Sequence, residues 1–139
     1  GEKNIYRLDP RHAVLCIAER EADRLAQLAA VLAVGSRAVW PASAVALHER
    51  LPNEVQSRIA IVADWTVPQG VFDAVLLHGS ADELTATQAR LAQRPGPVIA
   101  VERLAPGDTA IPLERLVVEK SVSINTAAAG GNATLMALA

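Results

Sequence analysis

The sequence predicts an α/β fold: a degenerate Rossmann-like, mostly parallel sheet with flanking helices, plus a projecting C-terminal β-ribbon and tail. Short, nearly unbroken apolar runs recur at residues 13–18, 38–40, 59–63, 74–78 and 98–101. Continuous runs of Val, Ile and Leu are typical of strands that are covered on both faces. Helical patterns separate most of these runs, and strand–helix alternation favours a parallel sheet.

The first helix is predicted over residues 21–34. Its apolar stripe and its polar side follow the helical period. The stripe consists of Leu25, Leu28, Ala29 and Leu32, and the opposite side carries Arg20, Asp23, Arg24 and Gln27. Gly35 stands where a glycine commonly ends a helix, so the helix is expected to stop there.

Two further helices follow from proline and capping signals. Pro41 is tolerated in a first turn, so a helix is predicted from residue 42 to 50, where Pro52 stops it. Ser80 and Glu83 form the pattern of a capping box, which predicts a helix from there to Gln93. The connection over residues 64–71 is too short for a helical crossover, and the strand order around it is left open.

The chain changes character after Leu116. Leu116, Val118, Val122 and Ile124 alternate with polar residues, and Lys120 is the one charged residue on their side. This period of two indicates a half-exposed strand in an antiparallel ribbon. No charged residue follows Lys120, so the ribbon and the uncharged residues 121–139 are expected to lie against another surface.

Composition excludes several classes of protein. A net charge of -2 with interspersed signs argues against a nucleic-acid surface. Cys16 is the only cysteine, which leaves no internal disulfide, and its apolar neighbours predict a buried, inert thiol. The single methionine is Met136, so the chain is expected to be a fragment of a longer protein. The hydroxyls, Asn and Gly of the tail make it a poor spanning helix.

No site chemistry stands out in the sequence. The glycine-rich phosphate turn of dinucleotide-binding folds is missing, and Glu19-Arg20-Glu21 follows the first strand instead. The best remaining ligand candidate is His78-Gly79-Ser80 at a strand end, although a turn glycine and an N-cap serine explain the same residues. Asp64, His78 and Glu102 lie at predicted strand ends but lack a nucleophile elbow. His12, His48 and His78 are scattered, so no catalytic, cofactor-binding or metal-binding residue is predicted.

Two segments carry a resemblance to a known family. The strings PLERLVVEK at residues 112–120 and VSINTAAAGGNA at residues 122–133 resemble the extreme C-terminus of long proline utilization A proteins. GEKN at residues 1–4 and LxPRxxVLC at residues 8–16 resemble the segment that follows the dehydrogenase domain of the same proteins. The resemblance covers both ends of the chain and leaves the middle variable.

The resemblance implies a parent that joins proline dehydrogenase and L-glutamate-γ-semialdehyde (pyrroline-5-carboxylate) dehydrogenase on one bacterial polypeptide. FAD and NAD are implied for that parent, which would be cytoplasmic, with peripheral contact to the inner membrane and homo-oligomerisation both compatible. This chain would be a non-catalytic C-terminal domain without a cofactor of its own. It would pack on the aldehyde dehydrogenase domain of the same polypeptide, cover a substrate-channelling tunnel and support activity.

The resemblance also implies a division of the chain and a set of packing residues. Residues 1–10 would be a linker, 11–108 the α/β domain, and 109–139 a β-flap and tail. The residues expected to pack on the neighbouring domain are Ile124, Asn125, Thr126, Gly130, Gly131, Asn132, Leu135 and Met136. Two alternatives stay open: a residual NAD-binding domain, and a free-standing homo-oligomer that pairs through the 116–124 edge.

Overall fold

The computed structural model of the 139-residue chain describes residues 2–68 and 71–125. It divides into two compact units. The larger, called the body here, is Pro10–Val117, and the smaller combines Gly1–Asp9 with Val118–Ala139. Among the described residues, no helix is both long and apolar enough to cross a bilayer.

The body contains a five-stranded, all-parallel sheet in the order β4-β3-β2-β5-β6. Its strands are β2 (Ala13–Ile17), β3 (Arg37–Pro41), β4 (Ile59–Val62), β5 (Ala74–His78) and β6 (Val101–Leu104). The helices are α1 (Glu21–Ala33), α2 (Val45–Glu49), α3 (Asn53–Gln56) and α4 (Ala81–Ala92), with 3-10 turns at Ala42–Ala44 and Leu113–Leu116. The predicted parallel α/β sheet is therefore confirmed.

The two faces of the sheet are covered by different helices. Leu28 and Val31 of α1 pack with Cys16 and Trp40 on one face. Leu91 of α4 packs with Leu15 on the other, beside Phe72 of the connection before β5. Alternate strand residues thus enter separate layers, which is why the strands read as unbroken apolar runs.

The structure corrects the predicted face of α1. Leu25 and Ala29 are exposed, whereas Asp23, Arg24 and Gln27 are buried. The buried polar side chains form hydrogen bonds to strand ends and loops, which offset much of the cost of burying them, although Gln27 Oε1 has no partner among the described residues. The end of the helix is as predicted, because Gly35 has the positive φ of 83° that favours glycine.

The last parallel strand lies later than predicted. Residues 98–100 are not in a strand; β6 begins at Val101 and pairs with Val75 of β5. Pro95 and Pro97 lack the backbone donors that a strand needs, and Val98 is fully exposed. Of residues 98–100, Ala100 is the one whose carbonyl accepts a hydrogen bond from the Val75 amide, at 3.2 Å, in the described part of the chain. The predicted strand at 98–101 is wrong in position by most of its length.

The region after β3 is also more broken than predicted. Pro41 is the last residue of β3, and the single helix expected over 42–50 is a 3-10 turn followed by the short α2. The short α3 lies beyond Pro52 and was not predicted. The sheet order shows that the chain passes from edge strand β4 across to β5 beside β2.

The smaller unit contains an antiparallel ribbon of β1 (Glu2–Pro10) and β7 (Val117–Asn125). Ser123 contacts Glu2 at 2.7 Å and Lys120 contacts Asp9 at 3.0 Å, so residue numbers rise along one strand as they fall along the other. The predicted C-terminal ribbon strand is confirmed. Its partner β1 was not predicted, because residues 1–10 were assigned to a linker.

Candidate functional site

The sheet order places the expected ligand crevice at the carboxyl ends of β2 and β5. From β2 the chain moves outward through β3 and β4, then returns to β5 on the other side of β2. Open α/β sheets bind ligands where the strand order reverses in this way. Whether this switch point can hold a ligand depends on the side chains that line it.

Arg24 of α1 covers the end of β2. Its guanidinium donates hydrogen bonds to the carbonyls of Cys16, at 2.9 Å, and Ala18. It also lies 5.6 Å from the centre of the Trp40 ring, in cation–π geometry. Burial lowers the pKa of Arg24 because desolvation disfavours its charge. The guanidinium thus uses the carbonyls that a ligand near β2 would otherwise meet.

Gln27 and His78 join the two central strands. The Gln27 Nε2 donates to the Ile17 carbonyl at 2.9 Å and lies 2.9 Å from His78 Nδ1. His78 Nε2 lies 2.7 Å from the Asp108 carbonyl. The carbonyl can only accept, so the ring carries its proton on Nε2 and accepts from Gln27 at Nδ1. This chain of bonds spans from α1 through β5 to the loop after β6.

The loop after β6 lies over the carboxyl ends of β2 and β5. The Asp23 carboxylate accepts a hydrogen bond from the Gly107 amide at 3.0 Å. Gly107 has a φ of 88°, and a Cβ there would lie 3.0 Å from the Arg20 guanidinium. The positive φ favours glycine at this turn, and the Arg20 side chain would have to shift slightly to make room for a larger residue. We call this group the polar plug: Arg24, Gln27, His78 and the 105–108 turn.

Little open space remains at this switch point. The cavity that remains beside the plug measures about 60 Å³, well below the roughly 300 Å³ at which ligand sites begin. The first turn of α1 carries Glu21 and Asp23, carboxylates that repel a phosphate from the positive helix end. Side chains of this chain thus occupy most of the crevice in which open α/β sheets commonly bind ligands.

The sequence candidate His78-Gly79-Ser80 has a structural explanation. Ser80 caps α4 in a complete capping box with Glu83, as predicted. A Cβ on Gly79 would lie 2.6 Å from the Glu83 carboxylate, so the box itself requires glycine. His78 is buried in the polar plug rather than directed at a ligand space.

The other polar candidates lie apart. Asp64 follows edge strand β4, and Glu102 lies within β6 at the opposite edge. Hydrogen bonds from the Thr66 hydroxyl and amide lower the pKa of Asp64, and Glu102 faces Arg115 at 3.5 Å. Across the part of the chain that the structure describes, no three His, Cys, Asp or Glu side chains cluster closely enough to hold a metal ion.

Cys16 lies in the centre of β2 and is fully buried, as predicted. Desolvation raises the pKa of its thiol to about 12, against smaller opposing effects of Arg24 and Trp40. The reactive form of cysteine is the thiolate, which this environment suppresses. The thiol is therefore part of the core.

The ribbon presents apolar side chains on both faces. The contacts of Asp9 with Lys120 and of Glu2 with Ser123 fix which residues share a face. Ile5, Val122 and Ile124 lie on one face, and Tyr6 and Leu8 lie on the other, 68% and 67% exposed. Of the predicted packing residues, Ile124 and Asn125 belong to β7. Thr126, Gly130, Gly131, Asn132, Leu135 and Met136 lie outside the described residues.

The chain is similar over nearly its whole length to part of a larger protein. Bifunctional protein PutA of Escherichia coli (strain K12) is 48% identical over 140 residues, which is 99% of this chain and 11% of that protein. The Salmonella typhimurium (strain LT2) protein of the same name is 47% identical with the same coverage. The chain is homologous to a segment of PutA. The resemblance to proline utilization A proteins is thereby confirmed.

Further comparisons agree with this relation. Rhizobium meliloti PutA is 40% identical over 145 residues, 99% of this chain and 12% of that protein. A solved structure of PutA, described with proline bound in remote sites, matches 76% of this chain and 13% of its own with a TM-score of 0.55. At 24% identity that match shows the fold alone. No protein-family model matches the chain. The chain spans about a tenth of the PutA proteins it matches.

Sequence reasoning missed the polar plug that decides what the switch point can do. Asp23, Arg24 and Gln27 were assigned to the solvent side of α1, although they follow directly after the central strand. The signal that could have found them is their position in the first two turns after β2, where a dinucleotide-binding fold keeps small residues.

Proposed function

We propose that this chain is the non-catalytic C-terminal domain of a bifunctional proline dehydrogenase and L-glutamate-γ-semialdehyde dehydrogenase of the PutA type. In this proposal it packs on the aldehyde dehydrogenase domain of the same polypeptide, covers the substrate-channelling tunnel and supports dehydrogenase activity. The observation that carries the proposal is the filled switch point, combined with a ribbon that exposes apolar side chains on both faces.

The filled switch point supports a role without chemistry of its own. Arg24 and Gln27 donate hydrogen bonds to carbonyls at the end of β2, and His78 contacts the Asp108 carbonyl in the loop after β6. Cys16 is buried as a thiol. FAD and NAD are accordingly assigned to other parts of the parent, whose location in the cytoplasm is part of the same proposal. In this proposal the hydrogen bonds of the polar plug hold the body in one arrangement, on which other domains of the parent can pack.

The ribbon supports a role in packing. A two-stranded ribbon alone is marginally stable in water. Ile5, Val122 and Ile124 on one face are 41%, 45% and 42% exposed. Covering them would therefore stabilise the ribbon by roughly 0.6–1.3 kcal/mol each, a little under half of the value for a fully exposed side chain. The exposed ion pair of Lys120 with Asp9 links the two strands on the same face as that apolar group. A neighbouring domain is the surface that we propose to cover it.

Residues 126–139 complete the proposed contact. They continue from β7 and contain no charge, so they lose little hydration when covered. We propose that Leu135 and Met136 act as apolar anchors and that Gly130 and Gly131 allow close backbone approach. The division into a 1–10 linker, an 11–108 α/β domain and a 109–139 flap and tail belongs to the same proposal.

The intact parent provides the test. Removal of residues 121–139 should depress aldehyde dehydrogenase activity while proline oxidation stays unchanged. Val122→Asp should act in the same direction, because a buried unpaired carboxylate opposes packing. Val45→Asp on α2 is the matched control, since Val45 and Val122 are 43% and 45% exposed. Loss of both activities to the same degree, or of neither, would argue against the proposal.

The two alternatives predict other results. A residual NAD-binding domain requires saturable NAD binding to the 139-residue chain, measured by calorimetry. A free-standing oligomer requires association of this chain through residues 116–124, measured by sedimentation. Either result would replace the proposed packing role.

A further inference from the structure

A cationic cleft lies at the end of the sheet opposite the polar plug. It is formed by the segments that precede β2, β5 and β6, and its volume is about 320 Å³. Its lining includes Arg11, Val71, Phe72, Arg94, Pro97 and Val98. This Arg11 cleft lies within the body and contains none of the residues assigned to the ribbon contact.

The rim of the cleft is apolar and unusually exposed. Val98 is fully exposed and Val71 is 63% exposed, although both belong to a residue type that is mostly buried. Pro97 stands beside Val98, while Phe72 is buried beneath. A clustered apolar rim around a cleft marks a contact surface more often than isolated exposed residues do.

The two arginines give the cleft its charge. Arg94 lies 4.2 Å from the centre of the Phe72 ring and donates to the Trp65 carbonyl, so its guanidinium is held in place. Asp73 also lines the cleft, but its two oxygens accept hydrogen bonds from the amides of His12, at 3.0 Å, and Ala13, at 3.2 Å. That carboxylate is occupied in joining β2 to the start of β5.

Arg11 is the group that lacks an acceptor. Its backbone is fixed, because its amide donates to the Leu116 carbonyl at 2.9 Å and its carbonyl accepts from the Ser36 hydroxyl at 2.8 Å. Its side-chain Nε is buried and has no hydrogen-bond partner among residues 2–68 and 71–125. Arg11 as a whole is only partly buried and lines the cleft, and a carboxylate is the strongest partner for a guanidinium.

We infer that the Arg11 cleft binds a carboxylate side chain flanked by apolar residues, supplied by a segment of the parent polypeptide outside residues 1–139. The charge complements Arg11, and the apolar neighbours cover Val71 and Val98. A polypeptide fits better than a small anion, because the valines outside the cleft also need covering. The PutA relatives contain about nine times the length of this chain, so such a segment is tethered at high effective concentration.

The inference rests on the proposed function in requiring a parent polypeptide, but it concerns a different surface. Hydroxyl-radical footprinting of the unmodified parent tests it by mass spectrometry. In the described chain Val98 is more exposed than Val45. In the parent, Val98 should be oxidised several-fold more slowly than Val45, and faster oxidation would overturn the inference. Slow oxidation of Val122 with fast oxidation of Val98 would leave the ribbon contact standing and reject this one.

A cross-linking experiment identifies the carboxylate. In the parent carrying Arg11→Lys, carbodiimide should join Lys at this position to an Asp or Glu outside residues 1–139. Arg50→Lys is the control, because Arg50 pairs with Glu21 at the surface and should yield that link. Links from position 11 only to Asp73 or Glu114, or none while the control succeeds, would overturn the inference. The inference would also be overturned if Val98 were oxidised slowly only after acetate is added, since that would indicate a small ligand.

Discussion

The body and the ribbon bury their side chains to very different extents. In the body, Leu15, Leu76 and Trp40 are completely buried, and even the polar Gln27 is enclosed. In the ribbon, Tyr6 and Leu8 remain largely exposed, and the ion pairs of Asp9 are at the surface. Both regions contain regular β-strands, so the presence of strands does not account for the difference.

The comparison separates two sources of structural specificity. The body is specified by contacts within this chain, including hydrogen bonds between buried polar side chains and strand-end carbonyls. The ribbon has hydrogen-bonded strands, and among the described residues of its unit no second layer is present; a two-stranded sheet gains little stability without one. Changes in the body should therefore affect folding, and changes in the ribbon should affect packing against other parts of the parent.

The largest expected effect is in the core of the body. Leu76→Ala removes a fully buried side chain from β5 and should lower the free energy of unfolding by about 2–5 kcal/mol. Ile5→Ala in the ribbon should change it by less than about 1 kcal/mol, as surface substitutions usually do. Urea titration of this chain, followed by the fluorescence of buried Trp40, measures both. Equal losses would remove the distinction between the two regions.

A slightly smaller effect is expected in the polar plug. Gln27→Ala leaves the Ile17 carbonyl and His78 Nδ1 without a donor, at a cost of about 2–3 kcal/mol. Gln88→Ala on the exposed side of α4 is the matched control, with a change within about 0.5 kcal/mol. The same urea titration compares them. A Gln27 variant as stable as the control would mean that the plug contributes nothing to the body.

The Cys16 thiol gives a dependence on alkaline pH. Its pKa is raised from 9.0 to about 12 in the folded state, so the folded protein keeps a proton that the unfolded chain loses. Stability from this group is complete below pH 9.0 and falls as pH rises towards 12. From roughly pH 8 to pH 10.5 the wild type should lose about 2 kcal/mol more than Cys16→Ala does. Parallel pH profiles for the two proteins would contradict the burial of the thiol.

The smallest effect concerns the ribbon alone. The hydrogen bond from Lys120 lowers the pKa of Asp9 below 3.8, and Arg7 adds to this shift. The stabilisation of the ribbon by the Asp9 carboxylate is fully present above pH 3.8, the ordinary pKa. It is lost as the pH falls through the lowered pKa of Asp9. Lys120→Gln should raise the titration midpoint of Asp9, followed by carboxyl carbon NMR, whereas Lys3→Gln should leave it unchanged. An unmoved midpoint in the Lys120 variant would mean that the contact does not form in solution.

Much of the body could be predicted from local sequence. The apolar runs that become β2, β3 and β5 are largely covered on both faces, and the run of edge strand β4 is partly covered, so their composition identifies them. The Ser80 capping box is a local device and was equally visible. Cys16 was placed correctly because its neighbours on both sides are apolar.

The errors share a cause, which is contact between residues distant in sequence. Arg24 and Gln27 were placed in solvent because periodicity cannot reveal the strand carbonyls that they bind. Val98 was placed in a strand because it is apolar, although its surroundings hold it at the surface. Strand β1 was missed because its partner β7 lies at the other end of the chain. The roles of Thr126 to Met136 remain predictions.

The bond between Asp23 and Gly107 has a consequence for synthesis on the ribosome. It joins residues 84 positions apart, and the Asp108 carbonyl that His78 requires comes even later in the chain. Until that turn has emerged, the nascent sheet has a central imidazole and a helix carboxylate without their partners. The body therefore completes its fold only near the end of its own translation, and chains that stall before Gly107 should be the ones that proteases remove.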